Sequence, residues 1–248
     1  GSTVSAAITG PIAATTGGWR VASGLWSVLG IVALSAWFFV ARHDRPERLS
    51  RTSSKRFPLP VGNRTAWLVA LFFACQNFLF YACITWLAPL FREDGFGATS
   101  SGLVLASFTV AFTLANPVFG ALSRNEDRRL LLALSGILAF AGFVLLAAAP
   151  TRFPFLAVPV LAIGLGGAFT LGMTLPLDNT HEPEEANAWN AFVLTIGYLI
   201  AASGPFSVGV LRDATGSFAL PLCMLAGVAA VMLALTPLLQ PHRQTREV

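Results

Sequence analysis

The chain has 248 residues, 55% of them hydrophobic and only 11% charged, with a mean hydropathy of +0.68 and a net charge of +4. Soluble domains carry about 25% charged residues, so this composition excludes an ordinary water-soluble domain and points to lipid as the solvent. The basic excess sits in loops between apolar runs, so it calls for no nucleic-acid partner.

In chain order, charged residues fall in short clusters separated by uncharged runs of roughly 20 to 26 residues, where about 20 suffice to cross a bilayer as a helix. Ser2–Thr16 is a shorter run rich in Ala, Thr and Ser, expected to be the tail of a helix that starts upstream. No signal-peptide pattern precedes it. Trp19–Ala41 is the first full run. Residues 42–65 are basic, contain Ser and Pro, lack apolar periodicity and read as a linker. Six further runs follow: Ala66–Phe91, Ser101–Leu122, Leu130–Ala149, Phe153–Leu177, Asn187–Leu211 and Ser217–Leu239. They form a six-helix unit over 66–239, compatible with a three-plus-three repeat, and 240–248 is a tail.

The connections are short. Ser100 and Ser217 are expected to cap the helices after them. Residues 150–152 make a tight turn, and Pro183 opens a helix whose first turn carries Glu182, Glu184 and Glu185 at the positive end of its dipole. Alternating crossings place twelve of the 16 basic residues on one side and four on the other. The richer side, with the linker and the C-terminus, is expected to be cytoplasmic. The acidic loop 178–185 is a candidate latch against basic loops of another part of the protein.

The stretch 196–218, IGYLIAASGPFSVGVLRDATGSF, combines apolar character with Gly and Pro. Gly197, Ala201, Gly204 and Ser207 share one helix face, and small faces let membrane helices pack closely. Pro205 removes a backbone hydrogen bond and is expected to bend the helix. Gly164, Gly167 and Gly172 suggest the same packing in the preceding run, and Pro89 and Asn116–Pro117 mark further irregular points.

No Asp, Glu, Lys, Arg or His lies inside the seven runs, whereas ion-coupled carriers usually place an ionisable group there. Any binding site must use neutral groups. The best candidates lie in ACQNFLFYACITWLAPLF, residues 74–91. Gln76 and Asn77 are amides near mid-helix, and an unpaired buried amide costs at least about 1–3 kcal/mol. Asn77, Tyr81 and Thr85 share a face, with Trp86 nearer the outer boundary and Tyr198 in mid-run of its own helix. For the amides the alternative is an interhelical clamp, and for Trp86 an interfacial belt position. Asn116, Thr170, Thr174 and Asn190 are weaker candidates. Enzyme signatures are missing: His181–Glu182 is followed by Pro183 and lacks the second His of a zinc motif. No cofactor or metal is expected. Cys75, Cys83 and Cys223 form no C-x-x-C pair and read as reduced core residues.

Three stretches, GGWR at 17–20, GALSRNEDRRL at 120–130 and GYLIAASGPFSVGVLRDATGSF at 197–218, give a chain that resembles the C-terminal portion of a major facilitator superfamily transporter. Together with Gln76, Tyr81 and Trp86 the last stretch is similar to the cyanate and nitroimidazole transporter subfamily. Ser123–Arg124 stands where the family's loop often has Asp, and Leu194 where the subfamily has Gln. The resemblance implies an all-α membrane bundle. Residues 1–41 would be the end of the fifth and all of the sixth helix, and 66–239 the C-terminal six-helix half. It implies partners in the lipid bilayer, in the missing N-terminal half and in a small polar solute. That solute would be a small anion or a neutral heteroaromatic, moved across the inner membrane by alternating access. Gln76, Asn77 and Tyr81 would hydrogen-bond it, and Tyr198 with Trp86 would supply aromatic walls. A non-transporting receptor or assembly subunit would share the same helices.

Overall fold

The computed structural model describes residues 12, 19–43, 57–123, 127–180 and 182–239. The chain divides into two units, 1–56 and 57–248. In the first, the described helix is α1 (Trp19–His43). Leu34, Trp37 and Phe38 on it are exposed, and the Arg42 guanidinium lies 4.6 Å over the Phe38 ring. The expected helix tail Ser2–Thr16, apart from residue 12, lies outside the described residues, as do 44–56 of the linker, 124–126 of the loop and the tail from 240.

The second unit is built from α2 (Arg64–Glu93), α3 (Ala98–Leu122), α4 (Arg129–Ala148), α5 (Pro154–Asp178), α6 (Pro183–Ala201), α7 (Ser203–Thr215) and α8 (Ala219–Leu235), closed by a 3₁₀ turn at Thr236–Leu238. Counting α6 and α7 as one span, six helices here are long and apolar enough to cross a membrane, while the apolar stretch of α1, Trp26–Arg42, is shorter. The protein is an all-helical, multi-pass membrane protein.

Local chemistry sets the helix ends. α2 starts at Arg64, two residues before the apolar run, because Asn63 Oδ1 accepts from the Thr65 and Ala66 backbone N–H groups at 2.8 and 3.2 Å. Ser100 and Ser217 do not cap. Gly97 precedes α3 and Phe218 precedes α8, neither with a side-chain cap, and the Ser101 hydroxyl donates back to Gly97 O. A hydroxyl inside the first turn can reach its own turn's carbonyl, which satisfies it without stopping the helix. Two glycines in the left-handed region turn the chain after α2 and α7, Gly95 at φ 91° and Gly216 at φ 68°. Pro183 opens α6 with Glu184 and Glu185 in its first turn, as its sequence suggests.

α2 is the spine of this unit, packing against α3, α5, α6, α7 and α8, while α5 packs on α3 and α4, and α4 on α8. The seams rest on small residues. An ideal Cβ on Gly204 would stand 2.6 Å from Phe78 O of α2, and one on Gly197 2.5 Å from the Phe73 ring. Gly142 of α4 and Gly166 of α5 meet Leu161 and the Phe112 carbonyl oxygen equally closely, at 2.5 and 2.6 Å. The buried members of the small-residue face are Gly197, Ala201 and Gly204; Ser207 is half-buried and bonds Ser203 O on its own helix. Pro205 has the effect foreseen: the helix is interrupted at Ala202, between α6 and α7. With no N–H at 205, the Ala201 carbonyl loses its partner in the ladder.

Ion pairs mark the two ends of the bundle. At one, Arg128 is held bidentate by Asp178, at 2.6 and 3.1 Å, and also donates to the Ser123 carbonyl and hydroxyl. This ties the ends of α3 and α5 to the start of α4, and it commits Asp178, part of the acidic loop, to a partner inside the unit. At the other end Arg212 of α7 pairs with Glu93 of α2 at 2.9 Å. Cys75 and Cys83 are buried as expected, but Cys223 is exposed because its position on α8 faces out of the bundle.

Candidate functional site

The site starts from the spacing on α2. Phe73, Asn77, Phe80 and Tyr81 follow at steps of four, three and one, so they lie on one stripe. Gly197 brings α6 onto that stripe, because its missing side chain leaves room for the Phe73 ring. Its neighbour Tyr198 is thereby laid across α2. The Tyr198 ring centroid is 5.7 Å from that of Phe73 and 6.3 Å from that of Tyr81. Phe73 and Tyr81 are two turns apart, about 12 Å along the axis, so Tyr198 sits midway, at the level of Asn77.

The rings then close on themselves. From Tyr198 the path runs through Phe73 to Phe169 of α5, on to Phe112 of α3, to Phe80 and Tyr81 of α2, and back to Tyr198. Adjacent centroids in this circuit of six rings from four helices are 4.6 to 6.3 Å apart, within the range of favourable aromatic pairs. Tyr81 and Tyr198 are exposed at 39% and 42%, whereas Asn77, on the same stripe between Phe73 and Tyr81, is 3% exposed.

The polar atoms at this circuit are neutral. Asn77 Nδ2 donates to the Phe73 carbonyl at 3.0 Å. A carbonyl can only accept, so the amide's orientation is fixed and Oδ1 points elsewhere, with no donor among the described residues. Neither tyrosine hydroxyl has a protein partner among them. One turn on from Phe112, Asn116 donates from Nδ2 to Phe112 O at 2.7 Å and accepts at Oδ1 from the Thr170 hydroxyl at 2.6 Å. That pair fixes α3 against α5 directly behind Phe112 and Phe169. No Asp, Glu, Lys, Arg or His contributes to the circuit, and no group of three metal-ligating side chains gathers among the described residues. The arrangement can bind and orient a solute; it holds no nucleophile–base pair.

The five residues singled out from the sequence occupy three places. Tyr81 and Tyr198 come together in the aromatic circuit, and Asn77 shares its α2 stripe and bonds the Phe73 carbonyl. Gln76, a further 100° around α2, points at α5: it is fully buried, and Nε2 donates to Leu165 O at 3.2 Å while Oε1 has no partner. Trp86 lies nine residues beyond Asn77, about 13 Å along the helix. Its indole N–H donates to Pro205 O at 2.9 Å and its ring is 5.8 Å from that of Phe218. Among the weaker candidates, Thr174 bonds its own helix at Leu171 O and Asn190 is half-buried. Sequence reasoning missed Phe73, Phe80, Phe112 and Phe169. The signal available was the spacing of Phe73 and Phe80 about Asn77; nothing local distinguishes Phe112 or Phe169 from the other 18 phenylalanines of the 20 in the chain.

Comparison with known proteins agrees with this architecture. The family model described as Major Facilitator Superfamily matches residues 1–205. The chain is 31% identical over its whole length to the cyanate transport protein CynX of Escherichia coli (strain K12), covering 65% of that protein. It is 29% identical over 87% of its length to the uncharacterized transporter YycB of Bacillus subtilis (strain 168), covering 54%. It is 26% identical over 90% of its length to the 2-nitroimidazole transporter of Escherichia coli (strain K12), covering 56%. The chain thus spans 54% to 65% of the length of these relatives. With a family model covering most of its residues on an all-helical membrane fold, the chain belongs to the Major Facilitator Superfamily, whose members are membrane transporters and not enzymes.

Proposed function

We propose that the chain is part of a carrier that moves a small polar solute across the inner membrane by alternating access. Residues 66–239 are its C-terminal six-helix half, residues 1–41 come from the end of its N-terminal half, and the C-terminus is cytoplasmic. The solute is a small anion such as cyanate or a neutral heteroaromatic such as a nitroimidazole, as the names of two relatives suggest. The observation that carries this reading is the aromatic circuit, with an unpartnered amide oxygen and two free tyrosine hydroxyls in mid-span. Exposed tyrosines there are costly against hydrocarbon and well suited to a cavity shared with the other half of the carrier. Tyr81 and Tyr198 contact the solute, Asn77 lies under them, Gln76 holds α5 in place, and Trp86 holds α7.

The test is uptake of radiolabelled cyanate and of 2-nitroimidazole into proteoliposomes containing the complete carrier. Tyr81→Ala and Tyr198→Ala are expected each to lower carrier-dependent uptake about three- to tenfold, the worth of one aromatic contact, with membrane insertion intact. Unchanged uptake in both variants refutes the site. Solute binding without flux in the wild type refutes transport and favours a receptor.

A further inference from the structure

The helix contacts within residues 57–239 are of two kinds, and they sort the helices into two sets. In the first kind a glycine notches one helix into another. An ideal Cβ on Gly164 of α5 would stand 2.4 Å from the Ala139 nitrogen and 2.6 Å from the Ser135 carbonyl oxygen of α4, and one on Gly166 would stand 2.6 Å from the Phe112 carbonyl oxygen of α3. One on Gly142 of α4 would stand 2.7 Å from the Leu161 Cα of α5. The Asn116–Thr170 bond and the Arg128–Asp178 pair join the same three helices. In the second set α7 is notched into α2 by Gly204 at Phe78 O, with Trp86–Pro205 and Arg212–Glu93 beside it, and Gly197 seats α6 on the Phe73 ring. A notch against backbone fixes register, because a slide would bring a residue with a side chain over the carbonyl and close-packed backbone cannot yield.

Between the two sets the contact is looser. Gly172 of α5 faces α2, yet a Cβ there would lie 3.5 Å from the Phe72 ring and 3.6 Å from the Phe73 ring, which is ordinary contact. The ring pairs Phe73–Phe169, Phe80–Phe108 and Phe80–Phe112 meet side chain on side chain. A cavity of about 20 Å³ separates α2 and α7 from α4 and α8, lined among others by Cys83, Val208, Phe143 and Leu225. Within the span, among the described residues, one side-chain hydrogen bond crosses between the sets. Gln76 Nε2 donates to Leu165 O at 3.2 Å, against 2.6 Å for Asn116–Thr170 and 2.9 Å for Trp86–Pro205. The Gln76 amide is fully buried and its Oε1 has no partner, so much of its bonding capacity is unused in this arrangement.

We propose that this unit moves as two bodies, α3–α4–α5 against α2–α6–α7, sliding along the α2–α5 seam with Gln76 as the latch. α8 travels with the first body, since a Cβ on Gly136 of α4 would meet Leu233 of α8 at 3.1 Å. Backbone notches lie inside the bodies and not across the seam, while the void and the half-used amide lie on it. Shear of packed helices takes small steps of about 1–2 Å. The aromatic circuit straddles the seam, with Phe112 and Phe169 on one body and Phe73, Phe80, Tyr81 and Tyr198 on the other, so a slide changes its aperture. The motion is internal to this unit and rests on no assignment of solute.

The test is pulsed electron paramagnetic resonance on the complete carrier in lipid nanodiscs. Exposed cysteines, Cys223 among them, are replaced, and spin labels are introduced in pairs. Leu122 and Leu156 are exposed on the first body, and Leu71 and Val210 on the second. Pairs 122–156 and 71–210 report within a body; pairs 71–156 and 122–210 report across the seam. The within-body distances are expected to be single and narrow, and the cross-seam distances to be divided or broadened by about 2 Å. Gln76→Leu removes the bond and the open oxygen together, and is expected to alter the cross-seam distributions alone. Thr170→Val removes a bond inside the first body and is expected to alter neither. Cross-seam distributions as narrow as the within-body ones overturn the proposal before any change at Gln76. Within-body distributions as broad as the cross-seam ones overturn it as well. Cross-seam distributions that Gln76→Leu leaves unchanged overturn the assignment of the latch to Gln76.

Discussion

Replacing Gly204 with alanine tests the seam between α7 and α2. The added Cβ would stand 2.6 Å from the Phe78 carbonyl oxygen and 3.3 Å from its carbonyl carbon. Carbon–oxygen contacts settle near 3.3–3.6 Å, so α7 and α2 must part by close to an ångström. The obstacle is backbone, and no rotamer change relieves it. The shift also pulls on the neighbouring Trp86–Pro205 hydrogen bond, now 2.9 Å long. Overpacking of this kind costs about 1–3 kcal/mol, against a gain of at most about 1 kcal/mol from helix propensity. A net loss of about 1–2 kcal/mol is expected. Gly227 is the control: it lies inside α8 with nothing within 4 Å of an added Cβ, so Gly227→Ala keeps the propensity gain alone. Both variants are compared by reversible unfolding in mixed detergent micelles, followed by tryptophan fluorescence. If Gly204→Ala proves as stable as Gly227→Ala, the close approach of α7 to the Phe78 carbonyl is not what the seam requires.

The two ion pairs should differ in worth. Arg128 and Asp178 are 16% and 12% exposed and bidentate, so a double-mutant cycle with Arg128→Ala and Asp178→Ala is expected to give a coupling of about 2 kcal/mol, between the surface and fully buried limits. Arg212 and Glu93, at 38% and 36% exposed, are expected to give less than about 1 kcal/mol in the same cycle. Trp86→Phe removes the bond to Pro205 O and is expected to cost about 1 kcal/mol in unfolding. It should leave carrier-dependent uptake in proteoliposomes close to that of the wild type; a fall there would place Trp86 in the solute's path.

What the sequence made legible follows from its periodicities. The seven uncharged runs from Trp19 onward are helical, Asn187–Leu211 as two helices, because a span must be both apolar and helical to satisfy its backbone in lipid. Pro205 announced the break at Ala202, and Gly197 and Gly204 announced the close seam, since each acts through its own backbone. Side-chain caps were less legible. Ser100 and Ser217 have the right chemistry, but the helices start at neighbours that lack it, while Asn63, hidden in a polar linker, does the capping. The site was half legible. Asn77 and Tyr81 share a face by spacing alone, but the amide next to Asn77 goes to a different helix, and only the packing partner decides that. Phe112 and Phe169 carry no local mark, because their role arises from α3 and α5 meeting α2 at one level.

α2 explains why these features belong together. Around one turn it sends Gln76 to α5, Asn77 to the aromatic circuit and the Phe78 carbonyl to the Gly204 contact of α7. Three consecutive residues therefore set the position of α5, a polar group on the stripe of the aromatic circuit and the approach of the neighbouring helix. One turn before Asn77, the Phe73 ring meets the edge of Tyr198, which belongs to α6. α6 is joined to α7 across a proline-broken turn, and α7 is fastened to the far half of α2 by Trp86–Pro205 and Arg212–Glu93. Displacing Tyr198 thus loads the interruption at Ala202 rather than the whole span, since the remainder is held at two further points. Under the transport reading proposed above, a solute that moves Tyr198 therefore flexes the span at Ala202 and leaves α7 fastened to α2.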